Sequence, residues 1–267
     1  MNNRISELEE QGKISFDSKG CNEFMGYSGS FRNVIDELKK GFTMSGLDRD
    51  LHFFLYANRA LIGVIDCALK QKLPLLDLKH SIEDFCVETY SGKYRAAERT
   101  FSELDFPDEL FDFPVVEHKD RISWASFKPL YSRRLIKKVW QEEKKECHIP
   151  DWILMDGHDA YRPGIMIASA FHQSGVCAIR NAQDSKRDEV PRPLIREDEY
   201  IRVNFYGKDV VIVGEDVSTG RAVSSLYNFL IKTSRVRKIF TGAAIHIPGD
   251  YMDFELDFYG GLKNSFD

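Results

Sequence analysis

Apolar and polar positions recur along this chain with two different rhythms, and the change comes near residue 150. Residues 51–73, LHFFLYANRALIGVIDCALKQKL, carry apolar side chains on more than one face of a 3.6-residue period, which predicts a buried helix. Pro74 marks its end, because the proline ring disfavours helical backbone in the residue before it. Residues 31–42 predict a shorter amphipathic helix. Residues 101–116, FSELDFPDELFDFPVV, mix Phe, Pro and Asp without a period and predict an irregular, packed connector. Residues 130–146, LYSRRLIKKVWQEEKKE, predict a strongly charged helix docked by Leu135, Val139 and Trp140.

From Pro150 onward the apolar runs shorten. DWILM and VCAIR read as strands, with GIMIASAFHQSG between them as a helix. A polar stretch over 181–199 follows, then YIRVNFYG and DVVIVG as strands, a helix over 222–233 and a strand over 238–247. Strand, helix, three strands, helix and strand predict an α/β domain with a mainly parallel sheet. The expected organisation is therefore a mostly helical region over 1–149 and an α/β domain over 150–267. A polar stretch as long as 181–199 inside a compact domain reads as a lid or binding loop.

Composition narrows the function classes. The 267 residues suit one large domain or two modest ones, and 43% hydrophobic with 30% charged is an ordinary globular profile. No apolar run approaches the roughly 20 residues of a membrane helix, and MNNRISELEEQGK lacks the apolar stretch of a signal peptide, so no membrane role is expected. Cys21, Cys67, Cys86, Cys147 and Cys177 form no CxxC pair and read as reduced thiols of a cytoplasmic protein. A net charge of −5 gives no general attraction for nucleic acid. The basic face RRLIKK over 133–138 reads as solvated, diluted by the adjoining EEKKE.

Candidate chemistry concentrates in DVVIVGEDVSTGRAV, residues 209–223. Ligands of open α/β sheets sit beyond the carboxyl ends of the strands, and VVIV ends just before Gly214, which sets residues 215–221 on that rim. Small residues leading into a helix expose backbone N–H groups where the helix dipole is positive, a combination that holds a phosphate. The hydroxyls of Ser218 and Thr219 and the charge of Arg221 add to it. Glu215 and Asp216 suit sugar hydroxyls or a magnesium ion. The run is neither a Walker A loop nor GxGxxG.

Four apolar residues, two acids, three variable positions and Thr-Gly resemble the signature with which type I phosphoribosyltransferases grip the ribose hydroxyls and 5-phosphate of phosphoribosyl pyrophosphate (PRPP). VVIV over 210–213 matches the strand, and DVS over 216–218 the variable triplet before Thr219 and Gly220. Gly214 stands where the first acid belongs, with Asp216 one position late, and Ala222 stands where Thr or Ser is usual. Upstream, WILM followed by Arg162, Pro163 and Gly164 resembles the family's pyrophosphate loop, lengthened by residues 156–161, and Ala168 falls on the helix after it. Arg180 matches the Arg that often ends the second strand, with Asn181 in place of Lys. The polar stretch with Lys186, Arg187, Arg192 and Arg196 sits where the family has its flexible hood.

The resemblance covers roughly residues 150–260 and implies a parallel sheet of phosphoribosyltransferase type, magnesium as cofactor and a homo-oligomer. It assigns the 5-phosphate to Ser218, Thr219, Gly220, Arg221 and Ala222. The ribose hydroxyls, the metal and any general-base role fall to Glu215 and Asp216. Pyrophosphate falls to Arg162, Gly164, Arg180, Lys186 and Arg187. Two function classes follow. One is a pentosyltransferase that acts at ribose C1 and releases pyrophosphate. The other is a non-catalytic nucleotide-binding regulator or bacterial defence effector whose helical region meets a protein partner. Asp156, His158 and Asp159 offer metal-ligand chemistry without a second supporting group, so His158 reads rather as a loop residue or a pyrophosphate contact. Cys147-His148 reads as structural. Tyr251 and Phe254 are candidates to stack on a base.

Overall fold

A computed structural model describes residues 4–119, 121–146, 149–171, 174–184, 188–217, 220–246 and 256–262; at some positions, residues 215–217 among them, it describes the backbone alone. Packing divides the chain into two compact units, Met1–Ala125 and Ser126–Asp267.

The first unit is mostly helical. Its elements are α1 (Arg4–Glu10), α2 (Ser18–Phe24), strand β1 (Ser28–Ser30), α3 (Phe31–Thr43), α4 (Gly46–Gln71), α5 (Leu76–Tyr90), α6 (Tyr94–Ser102), α7 (Asp108–Phe111) and strand β2 (Pro114–Val116), and α8 (Arg121–Ser126) spans the division. Local chemistry starts the helices. The Asp17 carboxylate accepts the N–H groups of Lys19 at 2.8 Å and Gly20 at 3.1 Å, and the Ser30 hydroxyl accepts that of Asn33 at 3.3 Å, which satisfies donors a helix leaves open. Helix α4 buries residues on more than one face, as its sequence predicts, and ends at Gln71 ahead of Pro74. Contrary to the expectation from the sequence, it is long and apolar enough to cross a membrane by length and composition. Its most apolar stretch is 72% buried, which is how a core helix is placed. Phe54 packs against Phe16, Tyr90 and Trp124 with ring centroids 6.1, 5.7 and 6.4 Å away. The expected irregular connector over 101–116 ends in β2, which pairs antiparallel with β1, Gly29 opposite Val115.

The second unit contains α9 (Pro129–Glu146), β3 (Trp152–Asp156), α10 (Gly157–Ala168), β4 (Gly175–Asp184), β5 (Asp188–Arg192), α11 (Glu197–Asn204), β6 (Asp209–Val217), α12 (Arg221–Thr233), β7 (Lys238–His246) and β8 (Phe258–Leu262). Six strands run in the order β5-β4-β3-β6-β7-β8, all parallel except the β4–β5 pair, so the sheet is mainly parallel as expected. Leu135 and Val139 are fully buried and dock α9 on β7, β8 and α10, so packing groups α9 with the sheet, whereas the sequence reading set it before the division. The run YIRVNFYG, expected as a strand, is the end of α11 and a turn. Its β-forming side chains mislead because they bury at a spacing of four: Ile201 and Phe205 are buried, while Val203 and Tyr206 are exposed. One sheet face packs Leu154, Cys177, Ile179, Val210 and Ile212 against Ile201 and Phe205 from the α11 side and Val223, Leu226 and Leu230 of α12. Helices α9 and α10 pack on the sheet as well.

At the amino end of the sheet, charges are locked together. Asp209 is 2% exposed and accepts two hydrogen bonds from Arg237, Nε at 2.6 Å and Nη2 at 2.5 Å. The carboxylate of Asp151 accepts the Asp209 N–H at 2.9 Å and Lys208 Nζ at 3.1 Å.

Candidate functional site at the carboxyl rim of the sheet

Strand β3 is the point where the order of the sheet reverses. The chain leaves it for β4 on one side, then returns through α11 to place β6 on the other. Such a switch point opens a crevice beyond the carboxyl ends of the two central strands. Here the register ends with Met155 opposite Val213, so Asp156 and Gly214 stand at the rim.

Both neighbours of β3 run on past it. Strand β6 continues beside β7 as far as Val217, opposite His246, so Glu215 and Asp216 belong to a strand extension rather than to a loop. On its β3 side this extension has no strand partner among the described residues. Strand β4 is paired with β3 only to Ile179, and from Arg180 to Asp184 it forms an antiparallel ribbon with β5. The result is a notch with the end of β3 as its floor, the β4–β5 ribbon as one wall and the β6 extension as the other.

The first turn of α12 meets the notch, where the Ala222 carbonyl accepts a hydrogen bond from Asn181 of the ribbon at 3.4 Å. Gly220 has φ +73°, a left-handed conformation that glycine adopts without the steric cost of a Cβ, and it is the residue before α12. The first-turn N–H groups of this 13-residue helix have no helical partner, and the dipole there is positive. Arg221 is exposed and opens the helix, and Ala222 is half-buried. Ser218 and Thr219 lie outside the described residues, as do Lys186, Arg187, Cys147, His148, Tyr251 and Phe254.

On the other wall, Arg180 stands directly opposite Arg192 in the ribbon. Directly opposed residues of an antiparallel pair share a face, with Cβ atoms about 5 Å apart, and like charges so placed favour an anion beside them. Arg192 was visible in the sequence only as one of several basic residues; its pairing depends on register.

The expected pyrophosphate loop is different. Helix α10 begins at Gly157, directly after β3, so residues 157–164 are helical and the lengthened loop does not exist. Arg162 is 1% exposed with its guanidinium 4.8 Å from the Phe127 ring centre. Gly164 faces Met155 so closely that an added Cβ would lie 2.3 Å from Met155 Cγ. Both are interior packing positions, because residues 160–168 are buried without interruption and that burial holds Pro163 inside a helix. His158 and Asp159 lie in the first turn of α10, where the backbone alone is described.

Among the described residues, no group of three or more His, Cys, Asp or Glu side chains is placed to hold a metal. The donor chemistry at the rim is nevertheless of the oxygen type that magnesium takes: Asp156 ends β3, and Glu215 and Asp216 lie on the neighbouring extension. Cys21, Cys67, Cys86 and Cys177 are buried thiols that form no disulfide with one another.

No protein-family model matches the chain, and no curated protein does. Among solved structures it is similar to a purine phosphoribosyltransferase from Pyrococcus horikoshii, at 16% identity over 49% of this chain and 82% of that one, with a TM-score of 0.38. It is also similar to the xanthine-guanine-hypoxanthine phosphoribosyltransferase of Helicobacter pylori, at 13% identity over 49% and 78% of the two chains, with a TM-score of 0.37. A third, the hypoxanthine phosphoribosyltransferase of Trypanosoma cruzi, shows 13% identity over 51% and 73%, with a TM-score of 0.39.

Proposed function

We propose that the second unit binds PRPP or a nucleotide in the notch and, with PRPP, acts at ribose C1 with pyrophosphate as the group released. The observation that carries this reading is the place of the run VVIVGEDVSTGRA. Its strand passes the switch point and runs on beside β7 to Val217, and Gly220, the residue before α12, holds the left-handed conformation. The 5-phosphate goes to the first-turn N–H groups of Arg221 and Ala222, with Gly220, Ser218, Thr219 and the Arg221 guanidinium completing the grip. Glu215 and Asp216 take the ribose hydroxyls. Pyrophosphate goes to Arg180, joined by Arg192 across the ribbon and by Lys186 and Arg187 beyond it.

In such a reaction the C1–oxygen bond breaks and its electron pair leaves with pyrophosphate. The acceptor's lone pair then forms the new bond at C1, and Glu215 or Asp216 takes the acceptor's proton. Fixed cations on the departing side favour the step because they meet negative charge as it develops. Glu215 and Asp216 are the residues that would hold magnesium, whose chemistry is to neutralise pyrophosphate.

Calorimetric titration of PRPP with and without magnesium, followed by pyrophosphate release across a set of nucleobases, tests the reading. Binding that Thr219→Ala and Arg221→Ala weaken, with release, is the expected result. Binding without release points to a nucleotide-binding regulator. No binding by the wild-type chain, or no effect of either substitution, overturns the proposed site.

A further inference from the structure

Asn181 is the residue that reaches both sides of the notch. It lies on β4 opposite Pro191, one position past Arg180. Its Nδ2 donates to Asp156 Oδ1 and, at 3.4 Å, to the carbonyl of Ala222. Both partners are acceptors, so the nitrogen faces them and the orientation of the amide follows. Oδ1 is shielded from solvent and finds no hydrogen-bond partner among the described residues. A buried acceptor left open is costly, so Oδ1 calls for a donor, and at this place in the notch a ligand hydroxyl can supply it. Asp156, for its part, precedes α10 at the position where Asp is a favoured helix cap, yet it makes no capping hydrogen bond. Its carboxylate meets Asn181 instead.

We infer that Asn181 is the positioning residue of the notch: it ties the end of β3 to the first turn of α12, turns Asp156 toward the ribbon, and presents Oδ1 to a hydroxyl of the bound phosphosugar. This rests on the phosphoribosyl reading of the site. The amide does what a lysine at the same position cannot, because an ammonium has donors and no acceptor.

The test is titration of PRPP, ribose 5-phosphate and pyrophosphate into wild-type and variant chains from pH 5 to 8, with thermal melts as a control for folding. Asn181→Ala weakens both sugar phosphates about tenfold, the equivalent of one well-placed hydrogen bond, and leaves pyrophosphate within about twofold. Asn181→Asp sets two carboxyls side by side that cannot both ionise cheaply. Its binding of the sugar phosphates relative to wild type is therefore poor at pH 8 and recovers toward pH 5, and retained pyrophosphate binding in Asn181→Ala separates loss of the sugar contact from a general loss of structure. The double substitution Asp156→Asn with Asn181→Asp restores the tie to β3 but leaves the Ala222 carbonyl without its donor, so recovery at pH 8 is partial. Wild-type binding that both single variants reproduce at every pH overturns this inference alone. A wild-type chain that binds neither sugar phosphate overturns the phosphoribosyl reading and this inference with it.

Discussion

The left-handed conformation of Gly220 gives the sharpest handle on the site, because a second glycine of the same unit shares it at the other end of the same strand. Gly220 has φ +73° and precedes α12 at the carboxyl rim; Gly207 has φ +67° and precedes β6 at the amino end. An L-residue in this conformation costs about 1–2 kcal/mol. Around Gly207 an added Cβ meets nothing within 4 Å, so Gly207→Ala isolates that backbone term. At about 2–4 °C per kcal/mol for a protein of this size, Gly207→Ala lowers the melting temperature by about 2–8 °C, and Gly220→Ala does at least the same. Their effects on PRPP binding differ. Gly220→Ala shifts the N–H groups that face the 5-phosphate, and losing one aligned hydrogen bond to a charged group weakens binding about 10- to 100-fold. Gly207→Ala leaves the dissociation constant unchanged. Differential scanning calorimetry and titration on the same two preparations give both readouts. Equal loss of binding in the two variants, or normal binding in a destabilised Gly220→Ala, would refute the assignment of the phosphate to this turn.

Three further outcomes follow from the packing and the charges. Arg237→Ala strips the bidentate partner from a nearly buried Asp209 carboxylate and lowers stability by about 2 kcal/mol, read as the shift of a urea midpoint. Burial alone would push the Asp151 carboxyl up, but hydrogen bonds from the Asp209 N–H and Lys208, with the charges of Lys208 and Arg237, outweigh it and hold the pKa below its ordinary value. The stabilisation is therefore complete above the ordinary carboxylate value and is lost as pH falls through the lowered one. Asp151→Asn accordingly flattens the loss of stability as pH falls below the ordinary carboxylate value, and an unchanged acid profile would contradict the assignment. Cys21, Cys67, Cys86 and Cys177 are buried, and burial pushes the Cys67 thiol up, so a thiol-specific chromogenic reagent labels these four only on unfolding.

The parts of the fold that were legible in the sequence are those where one physical signal dominates. VVIV followed by two acids and a Thr-Gly turn could be placed on a sheet rim because an apolar strand buried on both faces leaves no other site for those carboxylates. The long apolar helix around Phe53 and Phe54 was equally plain. Three elements were read differently, each because packing outweighed a local preference. Pro163 and Gly164 look like a loop, yet the unbroken burial of residues 160–168 keeps them in α10. YIRVNFYG has the composition of a strand, and only its burial every fourth residue makes it helix. The β4–β5 ribbon carries no apolar period in its sequence, RNAQD and DEVPR, and is held by backbone pairing past the end of β3. In the site itself, Gly220 and Arg180 could be named from the sequence. Asn181 could be noted only as a substitution, because its role depends on Asp156 and Ala222, which are 25 and 41 positions away.

The double pairing of β3 also sets the order in which the second unit can assemble. Its partnership with β4 closes across one helix, whereas its partnership with β6 waits for the ribbon and α11 to be made. A growing chain can therefore complete β3, α10 and β4 while the far edge of β3 still lacks a neighbour. That edge is apolar on both sides, with Ile153, Leu154 and Met155 all buried in the finished unit. During synthesis it is the surface most open to pairing with another chain, until residue 213 has emerged and Val213 can lie beside Met155. The crevice proposed for the ligand is thus bordered by a seam that closes only after the ribbon and α11 are made, and substitutions that slow that closure act on yield of folded protein before they act on binding.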